Sequence, residues 1–343
     1  MNRILLTGAA SLTGAEVLRE LLHRRDVESI CLLLPSDGAK TMAALETYLE
    51  PMPELVTTLS CDLRLERFGL SSRSWDELAS SFDLGIHCAQ REIADQDVEL
   101  ARKANLLPVA NWIDLLNRNA KLRLHHLSTA FIGGTRRGLL TEFDLDCGQR
   151  FHNAWERSKF EAEAALRASA VADRVTVYRP SHTLGRSFGG SFNLGGAFPL
   201  LATLSAASFL PGDARARIDF VPADYVASAI VSLACSGATG TFHLACGWED
   251  SLPVRTVAAL AARARGRSRG ARMLPRALAW PLRLASNSLA FANARDLLNQ
   301  GPVFDTFRSD RALAPLGIYR PSPESWLASS VRRASQELRS GGR

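Results

Sequence analysis

Apolar residues fall along this chain in two alternating rhythms. Short continuous runs, RILLT at 3–7, ICLLL at 30–34, LVTTLS at 55–60, LGIHCA at 84–89, LRLHHLST at 122–129 and RVTVYRP at 174–180, read as buried strands. Between them lie segments with apolar positions at helical spacing: TGAEVLRELLHRR (13–25), TMAALETYLE (41–50), QDVELARKANLLPVANWIDLLNR (96–118) and FHNAWERSKFEAEAALRAS (151–169). Strand and helix in strict alternation predict an α/β protein with a doubly wound parallel sheet, a Rossmann-type dinucleotide fold. From Gly185 the pattern loosens into GRSFGGSFNLGGAFPL, a Gly-rich aromatic loop suited to a movable substrate cover. DYVASAIVSLA (224–234) and VRTVAALAARA (254–264) then predict helices of a smaller, interleaved C-terminal lobe. The expected division is a dinucleotide-binding domain over 1–184 and a substrate lobe over 185–343, with 215–245 returning to the first domain.

Composition narrows the class. The 343 residues are 46% hydrophobic and 22% charged, an ordinary globular balance. No apolar run approaches the roughly 18 residues of a membrane span. MNRILLT enters a strand directly, so no secretory leader is expected. Six cysteines without a C-x-x-C pair, most beside apolar residues, suggest buried thiols in a reducing cytoplasm rather than disulfides, and no metal site. The net charge of +6 is uneven, with Arg263, Arg265, Arg267, Arg269, Arg272, Arg276 and Arg283 crowding one segment. A solvated surface is the first reading of such a run; an anionic carrier or a peripheral membrane contact is the second. No motif supports nucleic-acid binding.

The first strand runs into Thr7-Gly8-Ala9-Ala10-Ser11-Leu12-Thr13-Gly14, then a helix. Glycine at this spacing permits a tight turn at Gly8 and close helix–strand packing at Gly14, aiming the helix N-terminus at a pyrophosphate. Ser11 replaces the usual middle glycine: its Cβ crowds the phosphate's approach, while its hydroxyl offers a donor. A plain tight turn would show the same glycines, so the motif alone is weak. The second strand ends at Leu34-Pro35, with neither a carboxylate for a ribose diol nor an arginine for a 2′-phosphate, although Asp37 is close. An unpaired phosphate dianion costs more than an unpaired diol, so NADH is favoured over NADPH. Asp62 and Leu63, closing the third strand, are placed to touch an adenine.

Several segments in order, TGAASLTGAEVLRELL, CDLRLERFGL, the HCA ending at Ala89, Asn105 in ANLLPVAN, HHLSTAFIGG, GQRFHNAWERSKFEAE, VYRPSHTLG and DFVPADYVASAI, resemble the extended short-chain dehydrogenase/reductases. The nearest branch is that of the thioester reductases and fatty-acyl reductases. The resemblance implies hydride transfer between nicotinamide and a carbonyl carbon. It makes Thr129, with Ser128 beside it, the hydroxyl that orients the carbonyl, and Lys159 the lysine that holds the nicotinamide ribose. Pro180 to Thr183 would contact nicotinamide, and Asn105 would support the site from a neighbouring helix. The departure is Trp155, standing where the family carries its tyrosine proton donor. An indole N–H donates a hydrogen bond but releases no proton at working pH. The proton then comes from Thr129 or from water relayed through Lys159, or a delocalised substrate needs none, or hydride transfer has been abandoned. His125, His126, His152 and His182 are potential substitute bases, though each is first read as a strand-end or packed histidine. The favoured reading is reduction of a carbonyl, a ketone before a thioester, on a bulky apolar natural-product or acyl-type substrate; a thioester would require an acyl carrier met in trans. The alternative is a redox-silent relative, a cyclase-like enzyme or a binding protein. The helices around 101–117 and 151–168 offer a homodimer contact.

Overall fold

The computed structural model describes residues 2–36, 38–49, 53–90, 97–187, 197, 200–201, 204, 208–211, 213, 216–264, 266–268, 270–274 and 301–340. Asp37, most of the Gly-rich loop, and Arg265, Arg269, Arg276 and Arg283 lie outside these residues.

Seven strands form one parallel sheet: β1 Asn2–Thr7, β2 Val27–Leu34, β3 Val56–Ser60, β4 Leu84–His87, β5 Arg123–Leu127, β6 Val175–Pro180 and β7 Gly240–Leu244. Their order is β7-β6-β5-β4-β1-β2-β3. The chain winds outward from β1 in one direction and then reverses, so the crevice between the ends of β1 and β4 is the topological switch point where such sheets bind ligands. Side chains alternate between the faces, and both faces are buried. Ile4 and Leu6 join one core with α1 (Leu12–Leu22) and α7 (Ala223–Ser236). Leu5 joins the other with α3 (Ser72–Ser81), α5 (Leu107–Arg118) and α6 (Ala154–Ala168).

The helix expected over 96–118 is two helices. α4 (Val98–Asn105) stops before α5, with Leu106 between them. Pro108 is the cause: it has no N–H to give the Ala104 carbonyl, and its ring clashes there, so it sits in the first turn of a new helix. The break leaves Asn105 at a helix end, buried against α6.

A third core, holding Leu200, Leu201, Leu204, Phe220 and Trp326, belongs to the smaller lobe, where α8 (Val254–Ala264) packs on α10 (Pro323–Ser340). The interleaving runs further than 215–245. Residues 302–304 pair with 138–140, and α9 (Phe307–Leu313) packs against β7 and α7. Buried Glu142 fastens this return, accepting from the amides of His243 (2.9 Å), Arg308 (2.9 Å) and Ser309 (3.1 Å) and from the Ser309 hydroxyl.

Candidate active site

At the end of β1 the chain turns through Gly8 at φ +78°, a left-handed conformation that favours glycine. A Cβ on Gly8 would stand 2.3 Å from the amide nitrogen of Ala89, just past β4, and one on Gly14 would stand 2.0 Å from the Gly8 carbonyl oxygen. Both glycines are therefore demanded by the contact of turn, helix and strand. Ser11 caps α1, its hydroxyl oxygen accepting from the Gly14 amide at 3.0 Å. That leaves the serine O–H free as a donor, beside the amides of Leu12 and Thr13, which open the helix and have no helical acceptor. Three donors at a helix N-terminus suit a pyrophosphate, and Ser11 adds to them rather than blocking them.

The neighbouring crevice edge lies where β2 and β3 end. The Cys61 amide bonds the Leu34 carbonyl at 2.8 Å, which sets Asp62 beside the end of β2. Both Asp62 carboxylate oxygens, however, take the Arg64 guanidinium, at 2.9 and 2.8 Å, and these bonds hold the carboxyl below its usual range. Leu63 is half-buried.

On the other side of the switch point stands Lys159, on α6 and only 1% exposed. Its Nζ donates to the Leu127 carbonyl at 2.6 Å, at the end of β5 and two residues before Thr129. Burial lowers the ammonium from 10.5 to about 8, against the pull of Glu163 and Cys88. Thr129 is buried and caps the short turn 130–133, its Oγ1 accepting from the Phe131 amide at 3.2 Å, so its O–H remains available. Ser128 points elsewhere: its hydroxyl donates to Glu163 at 3.0 Å. Trp155 precedes Lys159 by four residues, on the same side of α6. Its Nε1 is buried and has no partner among the described residues. Asn105 braces this turn, its amide donating to Ser158 Oγ at 2.9 Å, which donates in turn to the Trp155 carbonyl. Pro180 ends β6, and Thr183 lies on the short strand 182–184 paired with 220–222.

Three of the four histidines are engaged elsewhere. His152 bonds Glu156 at 3.0 Å and His125 meets the Tyr178 hydroxyl at 2.9 Å. His182 lies between Phe131 and Phe220, where burial lowers it to about 3. His126 is fully buried, and burial holds it well below its ordinary value. Sequence reading missed the buried Glu163–Arg179 pair under the site. Arg179 Nε meets Glu163 at 3.1 Å, its Nη1 meets His243 at 3.2 Å, and Nη2 donates to the Asp144 carbonyl at 2.7 Å. The signal was present: Glu163 stands one turn beyond Lys159, and Arg179 interrupts an otherwise apolar strand.

Residues 6–230 match the male sterility protein family of NAD-binding domains, more than half of the chain. The chain belongs to that family. It is thereby an extended short-chain dehydrogenase/reductase, as its ordered motifs suggested. Among solved structures, the terminal R domain from the myxalamid PKS-NRPS biosynthetic pathway is similar over 99% of this chain and 91% of that one, at a TM-score of 0.81 and 25% identity. Two proteins of Aspergillus flavus are also similar. Aldehyde reductase lnbA is 28% identical over 259 residues, 68% of this chain and 25% of that protein. Nonribosomal peptide synthetase asaC is 27% identical over 268 residues, 71% and 26% respectively. The chain thus spans about a quarter of the length of these curated relatives. No described helix is long and apolar enough to cross a membrane.

Proposed function

We propose that this chain is an NAD(P)H-dependent carbonyl reductase acting on a bulky apolar acyl-type or natural-product substrate. The observation that carries the reading is the Trp155 indole N–H, buried without a partner among the described residues one helical turn from the buried cation of Lys159. Two groups held this way suit an oxygen atom that gains negative charge during reaction. A dinucleotide in the crevice, held by the Gly8 turn, Ser11, the α1 amides and Lys159, would supply the hydride. Thr129 would orient the carbonyl oxygen through its free O–H, and Trp155 would add a second donor. Lys159, lowered to about 8, is suited to yield the proton that indole cannot.

Beside the ketone substrate expected from the sequence stand an aldehyde and an acyl thioester, because the similar proteins include an aldehyde reductase and the terminal R domain of a PKS-NRPS pathway. An acyl thioester brought by a carrier protein in trans, or the free aldehyde at the next oxidation level down, is the substrate form we favour. NADH remains the preferred cofactor, since Arg64, a cation beside the end of β2, is paired with Asp62. A cytoplasmic setting suits six free thiols, and α5 with α6 is the face on which we expect a homodimer.

Fluorescence titration of the purified protein with NADH and NADPH tests the cofactor half of this reading. Micromolar binding, tighter for NADH, is expected. Absence of binding of either at millimolar concentration would overturn it.

A further inference from the structure

Beneath the lysine lies a group of buried polar atoms that no described protein group satisfies. His87 ends β4, and His126 faces it in register on β5. Their rings stack with centroids 5.2 Å apart and planes 25° from parallel. Trp112 of α5 lies 6.0 Å from His87, which places the pair on the sheet face that α5 and α6 cover. One imidazole nitrogen is accounted for: His87 Nδ1 meets Thr7 Oγ1 at 2.6 Å. His87 Nε2, both nitrogens of His126 and Trp112 Nε1 are buried without partners among the described residues. A neutral imidazole carries one donor and one acceptor, so His126 by itself strands two polar groups. Stranding several such groups together costs more than immobilising a water among them.

Lys159 is the charge beside this notch. After burial it is the first influence that depresses both His87 and His126. Its ammonium has three donors, and the Leu127 carbonyl takes one. The other titratable groups that face it are Cys88 beyond β4 and Glu163 on its own helix, the latter held by Arg179 of β6. Buried and stocked with unpartnered donors and acceptors, the cluster meets the polar condition for buried water.

We propose that His87 and His126 wall an internal water site against Lys159, in which one or two waters accept from the ammonium and bond the free imidazole nitrogens, holding the lysine's proton. The two histidines are then positioning residues that act on Lys159 through water. Any effect on turnover rests on the reductase reading; the water site itself does not.

The test reads the proton affinity of Lys159 without any reaction. Unfolding free energies of the full chain are measured from pH 6 to pH 10.5, each referred to the same chain carrying Lys159→Met, so the difference reports only the lysine. In a His126→Leu background the midpoint of that difference should fall by about one pH unit or more, a tenfold loss of proton affinity. His126→Gln, which keeps a donor and an acceptor, should restore most of it. An unmoved midpoint in His126→Leu would overturn the proposal. If that variant does not fold, a high-resolution crystal structure of the wild-type chain decides. Water within about 3.2 Å of His87 Nε2 and His126 sustains the proposal, and a dry notch ends it. A shifted midpoint in a protein that binds neither dinucleotide would leave the water site standing and bring down the reductase reading alone.

Discussion

Replacing Lys159 by methionine exchanges a buried cation for an apolar chain of similar length, and the structure sets the sign and size of the result. The ammonium falls from 10.5 to about 8 on folding because burial strips its water. That fall corresponds to about 3 kcal/mol of native-state cost whenever the lysine is charged. Between about pH 8 and the unfolded value the native chain binds fewer protons than the unfolded one, so wild-type stability climbs with pH across that window. Below it the cost is present in full. Methionine removes the cost but also the hydrogen bond to the Leu127 carbonyl, worth about 1 kcal/mol. The variant should therefore be more stable than wild type by about 2 kcal/mol at pH 7, with the advantage vanishing near about pH 10. Urea titrations of both proteins at four pH values between 7 and 10 provide the measurement, alongside loss of reductase turnover. A variant less stable than wild type at pH 7, or a difference flat in pH, would refute the reasoning that burial dominates at this lysine.

Other consequences are as direct. Trp155→Phe should lower kcat about 10²-fold, as expected for losing a donor to a developing oxyanion, with dinucleotide affinity unchanged by titration. Trp155→Tyr should instead raise kcat, by up to about 10²-fold, if the site lacks only an acid; a fall would speak against proton supply as the deficit. Gly8→Ala drives a methyl group toward the Ala89 amide, so dinucleotide binding should weaken at least about tenfold and thermal stability should drop. Glu163→Gln leaves Arg179 buried without its carboxylate and should cost about 3–5 kcal/mol in denaturant unfolding.

The sequence by itself determined the scaffold. Apolar runs alternating with helical periods specify a parallel sheet buried on both faces, and the glycines at 8 and 14 locate the crevice, because these signals are local and repeat at short range. The break before α5 was missed by reading 96–118 as one helix, although its signal, the N–H that Pro108 lacks, is local. The chemistry of the site was another matter. Ser128 and Thr129 are adjacent and alike in sequence, yet one hydroxyl is spent on Glu163, 35 positions away, while the other donates to no described residue. The lowered proton affinity of Lys159, the unpartnered indole of Trp155 and the stacked His87–His126 pair exist only where strands and helices distant in the chain converge. Periodicity fixes which face of an element is buried. What a buried polar group meets there depends on contacts the chain makes across long separations, and only the tertiary structure decides those.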